Sequence, residues 1–116
     1  MTRYAVPIAS FEGLKSRVND HFAMSEDFVI LEAEGDKILD VRSIHNEQAD
    51  EKKAADFLID NGVEVVLCGR IGTCMMRILQ DQGVAIYSGA EGTVREAFKD
   101  HRAGKLTEVR PNPYQI

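Results

Sequence analysis

The chain has 116 residues, 44% of them apolar, and carries a net charge of −5. That is enough apolar material for one core, too much for a disordered chain and too little length for two ordinary domains. The negative balance argues against general affinity for nucleic acid or anionic membrane, and no apolar run approaches the roughly 20 residues that span a bilayer. Met1-Thr2-Arg3-Tyr4 lacks the apolar stretch of a secretory leader, so a cytoplasmic protein is expected. Cys68 and Cys74 are too few for a disulfide framework and read as free thiols.

Arg3 to Ala9 reads as a first strand, with Tyr4, Val6 and Ile8 on one face. Pro7 conflicts with a fully paired central position, because it has no N–H to give to a ladder. Ser10 to Asp27 is polar and long for a mere connection. Phe28 to Glu34 and Lys37 to Ile44 follow as strands, and Glu34-Gly35-Asp36 between them predicts an antiparallel hairpin. The period then changes. Ala54, Phe57, Leu58 and Asn61 share a helical face, with Asp50 as N-cap candidate and Asn61-Gly62 as the stop.

Val63 to Cys68 is nearly continuous apolar, as a strand covered on both faces requires. Gly69-Arg70-Ile71-Gly72 leads into a helix capped by Thr73, packed through Met75, Ile78 and Leu79 and ended at Gly83. Val84 to Tyr87 is a fifth strand. Ser88 to Gly92 then enters a last helix, whose Thr93-Val94-Arg95-Glu96 start has the pattern of a capping box and which Gly104 ends. The order βββαβαβα gives an α/β fold with one mixed five-stranded sheet and helices packed on it, the element order of ribonuclease H-like folds. One domain over residues 1–110 is expected, followed by a tail over 111–116 that Pro111-Asn112-Pro113 marks.

In open α/β sheets, ligands gather beyond the carboxyl ends of the parallel strands. Three segments are expected to meet there: the long loop after the first strand, Gly69 to Thr73 and Ser88 to Thr93. The last two each open a helix, so unpaired N–H groups and two positive dipole ends would favour an anion. Gly69, Gly72, Gly89 and Gly92 would let the backbone approach closely, with Thr73 and Thr93 at the helix starts. Turns also use glycine for purely local reasons. Arg17 and Arg70 offer charge balance for an anion, or are simply solvated.

Cys68, at a strand end, and Cys74, in a first helical turn, are candidate soft-metal ligands; a small core residue is the alternative for each, and the favoured reading for Cys68. His21 lies in the long loop beside Phe22, which could anchor it, whereas His45 reads as a turn residue. Met75 and Met76 fall at helical spacing, which favours packing over ligation for Met75 at least. No nucleophile elbow, Walker loop or dinucleotide fingerprint is present, and the first strand holds no carboxylate for a two-metal nuclease centre. A protein that is not an enzyme is expected.

Several segments, taken in order, resemble the dinitrogenase iron-molybdenum cofactor biosynthesis family. They are Ala5-Val6-Pro7-Ile8-Ala9, Arg17-Val18-Asn19-Asp20-His21-Phe22, Phe28-Val29-Ile30, Asn61-Gly62-Val63-Glu64-Val65-Val66 and Cys68-Gly69-Arg70-Ile71-Gly72. Gly83-Val84-Ala85-Ile86-Tyr87, Gly92-Thr93-Val94-Arg95-Glu96-Ala97 and Ala103-Gly104-Lys105-Leu106 complete them.

The resemblance implies a ribonuclease H-like carrier that binds an iron–sulfur or iron–molybdenum-type cluster transiently, between metallocofactor donor and acceptor proteins. It also implies that His21 is a cluster ligand, with Ala23 standing where the family has glycine. A monomer with neither nucleic acid nor membrane as partner is expected. A metal-free anion or nucleotide sensor and a protein-interaction module are the competing readings.

Overall fold

The computed structural model describes residues 1–20, 26–45 and 51–109, without the side chains of 51–54. Strands β1 (Thr2–Ile8), β2 (Asp27–Glu34) and β3 (Lys37–His45) precede helix α1 (Glu51–Asp60). Then come β4 (Val65–Leu67), α2 (Thr73–Asp81), β5 (Ala85–Ser88), α3 (Val94–Arg102) and β6 (Thr107–Glu108). The strands form one sheet in the order β3-β2-β1-β4-β5-β6. β1 is antiparallel to β2 and parallel to β4, and β4 is parallel to β5, as the helical crossovers require.

The expected five strands are corrected to six among the described residues. β6 has two residues and no alternation to betray it. It exists because Gly104, at φ 75°, turns the chain back along β5, where Glu108 and Thr107 pair with Tyr87 and Ser88. Thr73 is also corrected as the cap of α2: the N-cap is Gly72, with no side-chain hydrogen bond, and Thr73 is already helical. The candidate cap Asp50 and the tail from 111 onward lie outside the described residues.

Alternation along the strands sends their side chains into two cores. Ala5, Phe28, Ile30, Val66 and Ile86 pack with Ala55 and Leu58 of α1 and Met75 and Leu79 of α2. On the other face, Tyr4, Val6, Val29, Leu31 and Leu67 pack with Val94, Ala97 and Phe98 of α3. Tyr4 meets Phe98 edge to face, with ring centroids 5.4 Å apart, a contact worth about 0.5–1.5 kcal/mol beyond its buried area.

Pro7 sits in the middle of the sheet without breaking it. It pairs with Phe28 of β2, while its carbonyl accepts from Asn19 N–H at 2.8 Å on the opposite edge. A strand residue aims its N and its C=O to the same side, so the missing donor faces away from β2. β4 pairs only with Tyr4 and Ala5 and has left that edge before Pro7.

His101 of α3 lies edge-on between Tyr4, at 5.4 Å, and Tyr87, at 4.4 Å, with its Nδ1 buried and without a hydrogen-bond partner among the described residues. Burial first, then the neighbouring Arg102 charge, holds its pKa below the ordinary 6.5. A histidine kept neutral by the fold stabilises it fully above the unfolded value, and that contribution is lost as pH falls below it. Wild type should therefore lose more stability than His101→Phe between roughly pH 7 and pH 5, where the two variants' denaturant midpoints are compared. Parallel curves would show that the imidazole is already solvated.

At the start of α3, Thr93 Oγ1 accepts from Glu96 N–H at 3.2 Å and the Glu96 carboxylate accepts from Thr93 N–H at 3.3 Å. The capping box read from the sequence is complete. Thr93→Ala should lower stability by about 1 kcal/mol, seen as a shifted urea midpoint at unchanged slope. An unmoved midpoint would mean that the surrounding loop alone holds the helix start.

Candidate functional site

The loop after β1 is built into the fold. Ser16 is fully buried; its hydroxyl donates to Gly13 O at 2.7 Å and accepts from Glu12 N–H at 2.6 Å. Ala9 N–H donates to Arg17 O, and Val18 N–H donates to Gly92 O at 2.9 Å. Val94 and Arg95, in the first turn of α3, donate to Ser16 O and Leu14 O. The loop thus lies between the end of β1 and the start of α3, with Arg17 bridged to Thr93.

The two later loops meet it. Gly89 N–H points at Gly69 O (3.4 Å), and Ala90 N–H donates to Cys68 O at 3.0 Å. A Cβ on Gly69 would lie 2.8 Å from Asp20 Oδ1 and 3.3 Å from Ala90 O, so glycine lets the loops approach here without displacing either neighbour. All three segments therefore join at one sheet edge, as expected from their positions after β1, β4 and β5. Asp20 enters the sequence reading only as part of the Arg17–Phe22 segment. Nothing local marks it, since its role depends on a glycine 49 positions away.

The two helix starts are not equivalent, which corrects the expectation of paired anion-binding ends. In α3, the N–H groups of Thr93, Val94, Arg95 and Glu96 are all consumed, by Glu96, Ser16, Leu14 and Thr93 respectively. Gly92, at φ 79°, leaves room for the Glu96 carboxylate, which a Cβ would approach to 2.9 Å. That end is closed and carries a negative group. In α2 the first intrahelical bond runs from Met76 N–H to Gly72 O. Among the described residues, Thr73, Cys74 and Met75 give no N–H to a protein acceptor, and the first turn has no acidic residue. An anion at this edge would meet donors from α2.

Cys68 lies wholly inside the core formed with α1 and α2, its thiol 3.6 Å from Tyr87 O. Burial pushes its pKa up to about 12. Cys74 is exposed in the first turn of α2. Arg17 and Arg70 are exposed, Met75 is buried and Met76 half-buried. His45 pairs with Asp27 at 2.7 Å across the hairpin. His21 and Phe22 lie outside the described residues. No cluster of three or more His, Cys, Asp or Glu that could hold a metal occurs among the described residues. No described helix is long and apolar enough to cross a membrane.

Iodoacetamide should modify Cys74 in the native protein at about pH 8, and Cys68 only after unfolding. Mass spectrometry of the alkylated peptides distinguishes the two, and rapid native labelling of Cys68 would place it outside the core. The raised thiol pKa also has a stability consequence. Above its ordinary 9.0 the unfolded thiol ionises while the folded one resists until about 12, so stability should fall across that window. Cys68→Ala should remove that part of the slope.

Comparison with known proteins adds the family. The chain matches the model of the dinitrogenase iron-molybdenum cofactor family over residues 2–104. No curated protein matches it. It is similar to the crystal structure of PH0822, at 27% identity and a TM-score of 0.81, over 93% of this chain and 96% of that one. It is similar at 28% identity, over all of both chains and with a TM-score of 0.79, to a Thermotoga protein of the DUF35 family described as a candidate NifB protein. The apo orange protein of Desulfovibrio gigas shares the fold, at 24% identity and a TM-score of 0.81, over 94% of this chain and 93% of that one. The chain belongs to the dinitrogenase iron-molybdenum cofactor family.

Proposed function

We propose that the protein binds a metal–sulfur cluster, or a precursor of the iron–molybdenum cofactor, as cargo and passes it between metallocofactor donor and acceptor proteins. One observation carries the reading: the loop that leads into His21 is joined to both later loops, with Asp20 against Gly69 and Arg17 bridged to Thr93. Family membership and the NifB description of the Thermotoga protein support the same assignment. The antiparallel hairpin beside the parallel β1-β4-β5 set supports a ribonuclease H-like classification.

In this reading the protein is a carrier and not an enzyme, a cytoplasmic monomer with no nucleic acid or membrane partner. His21 is the main ligand, through a neutral imidazole nitrogen. Cys74 is the second candidate, because its thiol is already exposed beside the open end of α2. Cys68 would have to leave the core to take part. The α2 N–H groups face the anionic body of the cargo, and Arg17 and Arg70 balance its charge. Gly69, Gly72 and Thr73 shape that side; Gly89, Gly92 and Thr93 contribute by shape, since the α3 donors are consumed. Few protein ligands suit a carrier, which must release what it binds.

The test is anaerobic titration of a cluster donor into wild type, His21→Ala, Cys68→Ala and Cys74→Ala, following charge-transfer absorption. His21→Ala should lose most of the binding, and Cys68→Ala should keep it. Protonated imidazole cannot ligate, so loading should weaken as pH falls below roughly 6.5. Full binding by His21→Ala with failure of both Cys variants would make the thiols the ligands. Equal binding by all four, or by none, would remove the cluster from this edge. The open α2 donors would then favour the metal-free anion sensor, which phosphate titration of the α2 amide resonances would detect.

A further inference from the structure

Helix α3 leaves part of the sheet on its side uncovered. It packs with β1, β2 and β4 side chains, while Ile38 and Val41 of β3 stay half-buried beyond it. The ladder shifts register there: Glu32 pairs with Asp40 and Ala33 with Ile38, so Leu39 has no partner of its own. Leu39 is 46% exposed, one of the few large apolar side chains in that state. Between β3 and α3 lies a cleft of about 880 Å³. Its apolar lining comes from Leu14, Ile38, Leu39, Val41 and Phe98.

The rim is unevenly charged. Arg95, Lys99 and Arg102 stand at positions i, i+4 and i+7 of α3, along one stripe that borders the cleft. Asp36 and Asp40 border it from the hairpin. Arg102 Nε lies 2.7 Å from Asp36 Oδ1 and closes one end. Arg95 and Lys99 make no ion pair among the described residues. Cations therefore outnumber carboxylates on this rim, although the chain as a whole carries −5. Apolar walls with a few placed charges, at a volume within the roughly 300–1,000 Å³ of small-molecule sites, are the makings of a ligand pocket.

We propose that this cleft binds a small amphipathic organic anion. Its apolar body lies on Leu39, Ile38 and Val41, and its carboxylate or sulfonate is held by Arg95 and Lys99. The site is separate from the sheet edge where the cargo is proposed to bind, and it does not depend on that proposal. Leu14 and Arg95 are the residues that border both regions, through the bond from Arg95 N–H to Leu14 O.

The probes are 8-anilinonaphthalene-1-sulfonate, followed by fluorescence, and decanoate and decyltrimethylammonium as competitors with one tail and opposite charges. The full chain should bind the dye saturably, decanoate should displace it and the cationic surfactant should not. Amide shifts on adding decanoate should centre on Leu39, Val41 and Lys99. Arg95→Glu/Lys99→Glu, which reverses both rim charges, should weaken decanoate roughly tenfold or more. If the double variant folds poorly, Lys99→Gln alone must still weaken it measurably. Equal displacement by both competitors, shifts centred away from the cleft, unsaturable dye binding or unchanged affinity in the charge variants would each overturn the proposal.

Discussion

The segment from Glu12 to Asn19 holds one edge of this structure together by satisfying its own backbone against two other elements. Asn19 N–H bonds Pro7 O and Ala9 N–H bonds Arg17 O on the β1 side, while Val18, Val94 and Arg95 link the segment to the start of α3. A buried donor left unpaired costs about 1–3 kcal/mol, so burying Ser16 in this loop requires its polar atoms to be matched. Ser16 is the pin: a fully buried hydroxyl with both a donor and an acceptor role filled inside its own turn. The same contacts allow proline in the central strand, because the loop offers β1 an acceptor's partner where β4 is already absent.

From that attachment follows the division of labour between the helices. α3 is committed, its first-turn donors spent on the loop and on Glu96, which makes it a structural wall. α2 starts from Gly72 in extended conformation (φ −72°, ψ 150°) without a side-chain cap, and its first-turn donors meet no acceptor among the described residues. The chemistry available at the edge is therefore one open helix start, an exposed thiol in its first turn and the loop that continues into His21. The glycines are no longer a uniform set either. Gly69 makes room for Asp20 and Ala90, and Gly92 for the Glu96 carboxylate, so one serves the approach of the loops and the other a cap.

Seating α3 over β1 and β4 has a cost elsewhere. One helix of 9 residues cannot cover a sheet face that widens into a long hairpin, and β3 is left with half-buried apolar residues facing a charged helix stripe. On the opposite face two helices share the work, and Ala55, Leu58, Met75 and Leu79 are fully enclosed. The asymmetry between one helix and two is what creates the β3–α3 cleft.

Features governed by neighbours in the chain were legible in the amino-acid order alone. The Glu34-Gly35-Asp36 hairpin, the Asn61-Gly62 helix stop with Gly62 at φ 74°, the apolar run into β4 and the Thr93–Glu96 box all depend on residues a few positions apart. So did the family, through the order of its segments, and the meeting of three loops at one edge, which strand topology dictates. What only the tertiary structure decided were pairings between distant residues. β6 pairs with β5, and Asp20 meets Gly69. The spending of the α3 donors on a loop some 80 residues earlier belongs with them. Each is a competition for hydrogen-bond partners or buried space among groups that the chain brings together only when it folds. No local pattern of residues encodes which of those competitors wins.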